Sequence, residues 1–302
     1  MQARYLIPAA DIELETGFGK DLLRKWRQRF GYPLPVTQAD GKAGYTRETI
    51  SDLLAIRRLL QGGFRPAQVV GKTRLELERL QRAIAEDAPA LHRNASTRRL
   101  IERLKKTDVA GLEALLDKDR AKGSLTEFVR NTLVPLVAGV GDAWSRKELE
   151  IYHEHLCSSA VERRLHAGIL SSKPKRGYPR ILFASPPEEV HVLGLLMAEA
   201  VLADQGAHTV SIGARVPFDD LKMAVSACKA DVLALSFSFA YPERRVGPTL
   251  VHLRRLLPLK VEIWAGGAGL AGVRRPPKGV RLFPDIQESV DALLDLARHK
   301  RG

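Results

Sequence analysis

The segment Glu189-Val190-His191-Val192-Leu193-Gly194 constrains this chain more than any other. It follows a short apolar run over 180–185 and opens a helix-like stretch, which places His191 at the carboxyl end of a strand. In an open α/β sheet that edge is where ligands bind. Strand patterns at 181–184, 209–212, 231–237, 261–265 and 280–283 alternate with helix patterns at 190–205, 218–229, 244–256 and 287–300. The alternation predicts a doubly wound, five-stranded parallel sheet over 179–302. Two further signals fall at strand ends on the same edge: Ser236-Phe237-Ser238 and Gly266-Gly267. Glycine pairs there allow a ligand to approach the backbone closely. A neutral imidazole on such a loop can reach out as a metal ligand, with Glu189 two residues earlier able to orient it.

Taken singly, a histidine at a strand end is most often structural, and a glycine pair is usually a turn. In this order and spacing they resemble the cobalamin-binding domain. Its usual pattern runs Asp or Glu, x, His, x, x, Gly, then Ser-x-Leu, then Gly-Gly. One position departs, since Ser238 stands where the pattern has Leu. The resemblance implies a base-off corrinoid, with His191 replacing dimethylbenzimidazole as the lower axial ligand of cobalt. The displaced nucleotide tail would thread between strands past Ser236 and over Gly266 and Gly267, with Glu189, Gly194 and Ser238 completing the binding set.

The whole chain sets wider bounds. Its 302 residues allow two or three domains, and a net charge of +13 with pI near 9.9 suggests a polyanionic partner, nucleic acid first. Cys157 and Cys228 are too few for a disulfide framework or a thiolate metal site. No stretch approaches 18 uninterrupted apolar residues and the amino terminus lacks a signal-peptide core, so a soluble, cytoplasmic protein is expected.

The amino-terminal 75 residues read as short helices at 7–14, 20–30 and 47–61, with Gly17 and Gly19 forming a tight turn between the first two. The second helix carries Lys20, Arg24, Lys25, Arg27 and Arg29 around Leu22, Leu23 and Trp26. The core Leu-Arg-x-Trp-x-x-Arg-Phe-Gly, a glycine-bearing segment that could form a wing, and Tyr45-Thr46 before the third helix resemble the MerR-type winged helix-turn-helix. That resemblance implies binding to operator DNA, the second helix entering the major groove and the wing tracking phosphates. Lys20, Arg24, Lys25 and Arg27 are the implied groove-side residues, Lys42 and Tyr45 the wing residues. The arginines that many members carry in the wing are absent here, where Val36 and Ala43 or Gly44 stand.

Residues 76–172 are dominated by helical periodicity, at 97–106, 109–118, 124–144 and 145–170, and predict a bundle. Ser124-x-x-Glu127 and Ser145-x-x-Glu148 both read as capping boxes, so Trp144 is expected to close one helix as Ser145 starts the next. On that next helix Ile151, Glu154, His155 and Ser158 share a face. Trp144 followed by Glu154-His155 is similar to the motif of the CarH/LitR family of photoreceptor repressors, in which a four-helix bundle caps the upper face of adenosylcobalamin. The resemblance implies that Trp144 packs on the 5′-deoxyadenosyl group while Glu154 and His155 line its pocket. Light-sensing members carry a His directly after this Trp. Here it is Ser145, and a hydroxyl is a poor ligand for cobalt(III) beside imidazole.

The fold class expected is thus multidomain α and α/β: a MerR-type winged helix-turn-helix over 1–75, a four-helix bundle over 76–172 and a doubly wound parallel-sheet cobalamin domain over 179–302. The function implied is a non-enzymatic, light-responsive repressor that holds operator DNA in the dark as an adenosylcobalamin-bound homo-oligomer, dimer or tetramer. It would release the DNA when light cleaves the cobalt–carbon bond. Two alternatives stay open, a light-independent cobalamin-dependent regulator and a corrinoid methyl carrier.

Overall fold

A computed structural model describes residues 6–8, 11–37, 43–61, 64–87, 95–145, 148–238, 241–273 and 275–301. The chain divides into two compact units, Met1–Pro89 and Ala90–Gly302.

The first unit contains β1 (Ile7–Pro8), α1 (Ile12–Thr16), α2 (Lys20–Phe30), β2 (Val36–Thr37), β3 (Ala43–Tyr45), α3 (Arg47–Gln61), α4 (Pro66–Val69) and α5 (Arg74–Asp87). α2 and α3 lie where the sequence places them. The helix expected at 7–14 does not form as one element, because Ile7 and Pro8 pair antiparallel with Tyr45 and Gly44 of β3 and the helix starts only after Asp11. β2 pairs on the other side of β3, giving the expected wing. Gly44 sits at the crossing of the two pairings, where a Cβ would stand 2.8 Å from the Ile7 carbonyl oxygen. Leu23 and Trp26 anchor α2 in a core with Phe18, Leu53, Ile56 and Leu77, and Trp26 meets Phe18 edge to face at 4.8 Å. Leu22, expected inside, is 39 % exposed.

The second unit opens with α6 (Ala95–Lys105), α7 (Val109–Arg120), α8 (Leu125–Phe128), α9 (Val134–Ser145) and α10 (Ile151–Ser171). α8 begins at the expected capping box, with the Glu127 amide donating to Ser124 Oγ at 3.1 Å and the Ser124 amide to Glu127 Oε2 at 2.8 Å. Between α8 and α9 the helix widens into a π segment, Val129–Leu133, in which the Val134 amide donates to the Val129 carbonyl. Pro135, one residue later, has no N–H to give the ordinary ladder, a common cause of such widening. The second expected capping box does not form. Ser145 is the last residue of α9, and α10 starts at Ile151, where the Glu150 amide donates to the ring Nδ1 of His153 at 2.9 Å. His153 is buried and serves as this cap.

The sheet follows: β4 (Arg180–Ala184), α11 (Leu193–Asp204), β5 (His208–Ser211), α12 (Phe218–Ala227), β6 (Val232–Ser236), α13 (Glu243–Leu256), β7 (Glu262–Gly266), β8 (Val280–Phe283) and α14 (Ile286–Arg301). All neighbours pair parallel in the order β5-β4-β6-β7-β8. The central strands β4, β6 and β7 are near-continuous apolar runs, as strands covered on both faces require, whereas the edge strand β5 is polar and partly exposed. One core layer joins Ile181, Phe183, Val232 and Trp264 to α11, α14 and the helical bundle. The opposite layer joins Leu182, Leu233, Leu235 and Ile263 to α12 and α13. The bundle is tied to the sheet domain by α10 against α11, and by Asp204 at the end of α11, whose Oδ2 accepts from the Thr126 amide at 2.9 Å and the Thr126 hydroxyl at 2.7 Å.

Candidate functional site

The strand order reverses between β4 and β6, because β5 lies outside β4 while β6 lies on its other side. The carboxyl ends of these two strands form the switch point at which such sheets take ligands. The loop after β4 carries Glu189 and His191, the segment after β6 carries Ser238, and the structure brings the three together.

Glu188 adopts a left-handed backbone, φ 74°, and turns the next residue inward. Glu189 is 1 % exposed, a position that a carboxylate tolerates only with its oxygens satisfied. Its Oε1 accepts from the His191 amide at 2.8 Å and from the His191 ring Nδ1 at 2.9 Å, and its Oε2 accepts from the Ser238 amide at 2.7 Å. Burial works to raise this carboxyl, but the hydrogen bonds from the His191 ring and amide and from Ser238 outweigh it and hold Glu189 below the usual carboxylate range. An ionised carboxylate only accepts, so Nδ1 carries the ring proton. Ser238 Oγ lies 3.1 Å from the same nitrogen. The lone pair of the imidazole is thereby on Nε2, the atom through which the ring would ligate a metal. The helix expected from 190 begins instead at Leu193, since the Glu189 carboxylate holds residue 191 in the loop.

Small residues continue the edge sideways. A Cβ on Gly194 would meet Ser236 Oγ at 3.5 Å, and Ser236 stands in register with Gly266 on β7. Gly267 has φ 100°, and a Cβ there would lie 2.3 Å from the Phe237 carbonyl oxygen, so only glycine can occupy it. A Cβ on Gly269 would stand 2.6 Å from the Ser238 carbonyl oxygen and 3.0 Å from that of Phe237, a constraint with no signal in the sequence pattern. Nor did the sequence single out Arg245, which ion-pairs with Glu188 behind the loop.

The bundle presents a second group. Glu154 accepts from the Ser158 hydroxyl at 3.0 Å and lies 3.6 Å from the His155 ring, on the face expected for them. These side chains are open to solvent, His155 most of all, while Trp144 is partly buried against the bundle core at the end of α9. α10, which carries the Glu154 group, packs on α11, and α11 starts two residues after His191.

On the head, Lys20, Arg24 and Lys25 are exposed, Arg24 pairing with Asp21 at 3.0 Å. Arg27 is turned inward: its Nη2 donates to the Tyr45 hydroxyl at 2.7 Å and its Nε to the Pro33 carbonyl at 3.1 Å. Tyr45 is itself buried. The two therefore lock α2 to the wing. Lys42 lies outside the described residues.

These features fit a corrinoid. Among the described residues no group of three or more His, Cys, Asp or Glu gathers to hold a metal ion. A single oriented imidazole instead suits a metal that brings most of its own ligands, and Gly194, Ser236 and Gly266 place only small residues along the same edge. Burial pushes the Cys157 thiol up to about 12, which keeps it out of metal chemistry.

Comparison with known proteins agrees with this division of labour. Residues 9–74 match the model of the MerR HTH family regulatory proteins, and residues 97–167 match a B12 binding domain. Over 258 residues the chain is 29 % identical to the HTH-type transcriptional repressor CarH of Myxococcus xanthus, spanning 84 % of this chain and 86 % of that one. It is 28 % identical to the HTH-type transcriptional repressor CarA of the same organism over 264 residues, 84 % of each chain. The monomethylamine corrinoid protein of Methanosarcina barkeri shares the fold of the second unit, with TM-score 0.51 and 15 % identity over 65 % of this chain and 96 % of that one. Both sequence relatives are transcriptional repressors. Residues 9–74 are thus similar to the MerR HTH regulatory proteins and residues 97–167 to a B12 binding domain, and along 84 % of its length the chain is similar to the CarH and CarA repressors.

Proposed function

We propose that this cobalamin-dependent regulator is a light-responsive repressor that uses adenosylcobalamin. The observation that carries the reading is the Glu189–His191–Ser238 triangle at the switch point, which fixes a ligating tautomer before any ligand arrives. His191 would hold the cobalt, Ser236, Gly194, Gly266 and Gly267 would take the nucleotide tail, and Trp144, Glu154 and His155 would line the side of the cofactor facing the bundle. The working parts are the head at 1–75, the bundle at 76–172 and the sheet domain at 179–302. No helix among the described residues is long and apolar enough to cross a membrane, consistent with action in the cytoplasm.

Bound adenosylcobalamin supplies a cobalt–carbon bond that light can cleave. With the cofactor bound, Trp144 and Glu154 would hold the bundle against the sheet domain in the arrangement that supports a dimer or tetramer and paired heads on operator DNA. Without it that arrangement loses its advantage, and the population shifts by the difference in affinity between the two states. Lys20, Arg24 and Lys25 approach the groove, Lys42 approaches the phosphates, and Arg27 with Tyr45 keeps α2 and the wing in register.

One observation favours a second reading: Ser145 in place of the histidine of light-sensing members, which suits a regulator that senses cobalamin without light. Binding to duplexes selected from a random pool by the dark, cofactor-loaded protein separates the two. Release under green light is the expected result. Cofactor-dependent binding that ignores light selects the second reading, and methyl-group acceptance without any DNA binding would return the chain to the corrinoid carriers.

A further inference from the structure

α6 is the first described helix after the head, and its exposed face is cationic. Thr97, Leu100 and Leu104 turn into the bundle, leaving Arg98, Arg99, Arg103 and Lys106 around a groove of about 670 Å³ floored by Leu115 of α7. One carboxylate, Glu102, shares the groove and is held by Lys105 at 3.1 Å. Arg103 pairs with Asp108 at 2.6 Å. Among the described residues Arg98 and Arg99 form no ion pair, while Lys106 shares the field of Asp108 with Arg103. Clustered cations on one helix face, two of them unpaired, repel each other and persist most readily where an anion joins them. The chain's charge balance points the same way. Up to Pro89 it carries 15 Lys and Arg against 11 Asp and Glu, whereas the second unit holds 33 against 24, so most of the excess lies outside the head.

We propose that the α6 groove is a second DNA contact, a phosphate-backbone clamp that the bundle adds to the head. Arg98 to Lys106 spans about 12 Å at about 1.5 Å per residue. That length matches about three phosphates of one strand at about 3.4 Å of axial rise each. Guanidinium forks take phosphate oxygens in pairs, and such contacts anchor a complex without reading sequence. The proposal rests on the DNA-binding reading.

The test is the salt dependence of binding. Anisotropy of a labelled random-sequence 40-base-pair duplex is measured with cobalamin-loaded full-length protein, wild type against Arg98→Gln/Arg99→Gln/Lys106→Gln. The visible spectrum of the bound cobalamin confirms that the variant is folded. Losing three phosphate contacts lowers the slope of log K against log salt by about 2.7. The Arg98→Lys/Arg99→Lys variant keeps the slope, because charge is what counts. A triple variant with unchanged slope overturns the clamp while leaving the head's DNA binding intact. A changed oligomer size at unchanged slope overturns it too, making α6 a contact between copies of this chain. Tight binding of ATP or inorganic phosphate that leaves DNA affinity unaffected overturns it in favour of a small-ligand site. If wild type binds no duplex while the head variant Lys20→Ala/Arg24→Ala behaves identically, the repressor reading and the clamp fail together.

Discussion

The two faces of the proposed cobalamin site are built in opposite ways. On the lower face the carboxylate of Glu189 is buried and receives three hydrogen bonds, so His191 is held in one tautomer by the chain alone. On the upper face Glu154 and His155 stand in solvent, joined to each other at 3.6 Å and to little else beyond Ser158. A site that binds permanently is best organised in advance, since preorganisation removes the ordering cost of binding. A site that reports a change must be left for the ligand to complete. The lower face thus reads as the anchor and the upper face as the sensor.

Substitutions should separate the two roles, and the largest effect belongs to the anchor. His191→Ala removes the proposed axial ligand and should weaken retention beyond the roughly 100-fold upper range of outer-shell changes, measured by equilibrium dialysis with the visible spectrum recorded alongside. Glu189→Gln keeps the shape but loses the charge that polarises the ring, and should cost about 10–100-fold by the same assay. It should also change the response to acid. Glu189 is held below the ordinary value of about 4.3, so its contribution to stability is full above that value and is lost as pH falls through the folded one. Melting curves of the cofactor-free protein from pH 6 to 3 should fall less steeply for the Gln variant. An identical acid limb would remove Glu189 from the account.

On the sensor side the effects are smaller in affinity and larger in assembly. Trp144→Ala should leave cobalamin retention nearly intact yet abolish the cofactor-dependent change in size on gel filtration. Ser158→Ala, which removes one hydrogen bond to a half-exposed Glu154, should cost less than about 1 kcal/mol of thermal stability and little affinity. If Ser158→Ala proved as damaging as Glu189→Gln, the contrast between the faces would not hold.

The clustering of the lower-face residues was legible in the sequence because they are local signals at strand ends, and a parallel sheet places strand ends on one edge. His191, Ser236 and Gly266 needed only the alternation of strands and helices to be brought to it. The sensor was harder. Ser124-x-x-Glu127 and Ser145-x-x-Glu148 are the same pattern, yet only the first caps a helix. At the second, Glu148 pairs with Lys105 of α6 at 2.9 Å and Leu149 is buried, so packing delays the helix until Ile151. Local pattern cannot anticipate that competition. The inward turn of Arg27 was hidden for the same reason, since its partner Tyr45 lies 18 residues away across the wing. The left-handed Glu188 had no signal at all, because nothing in its side chain favours that backbone.

The central claim is that His191 anchors cobalt, and electron paramagnetic resonance tests it directly. Protein grown with ¹⁵N-labelled histidine is loaded with unlabelled cobalamin, reduced to cobalt(II), and compared with its unlabelled counterpart. Ligation by His191 turns each three-line nitrogen splitting into a two-line one in the labelled sample, and the change disappears in His191→Ala. A three-line splitting that persists in labelled wild type would mean that the cofactor keeps its own base, and the anchor assignment would be wrong.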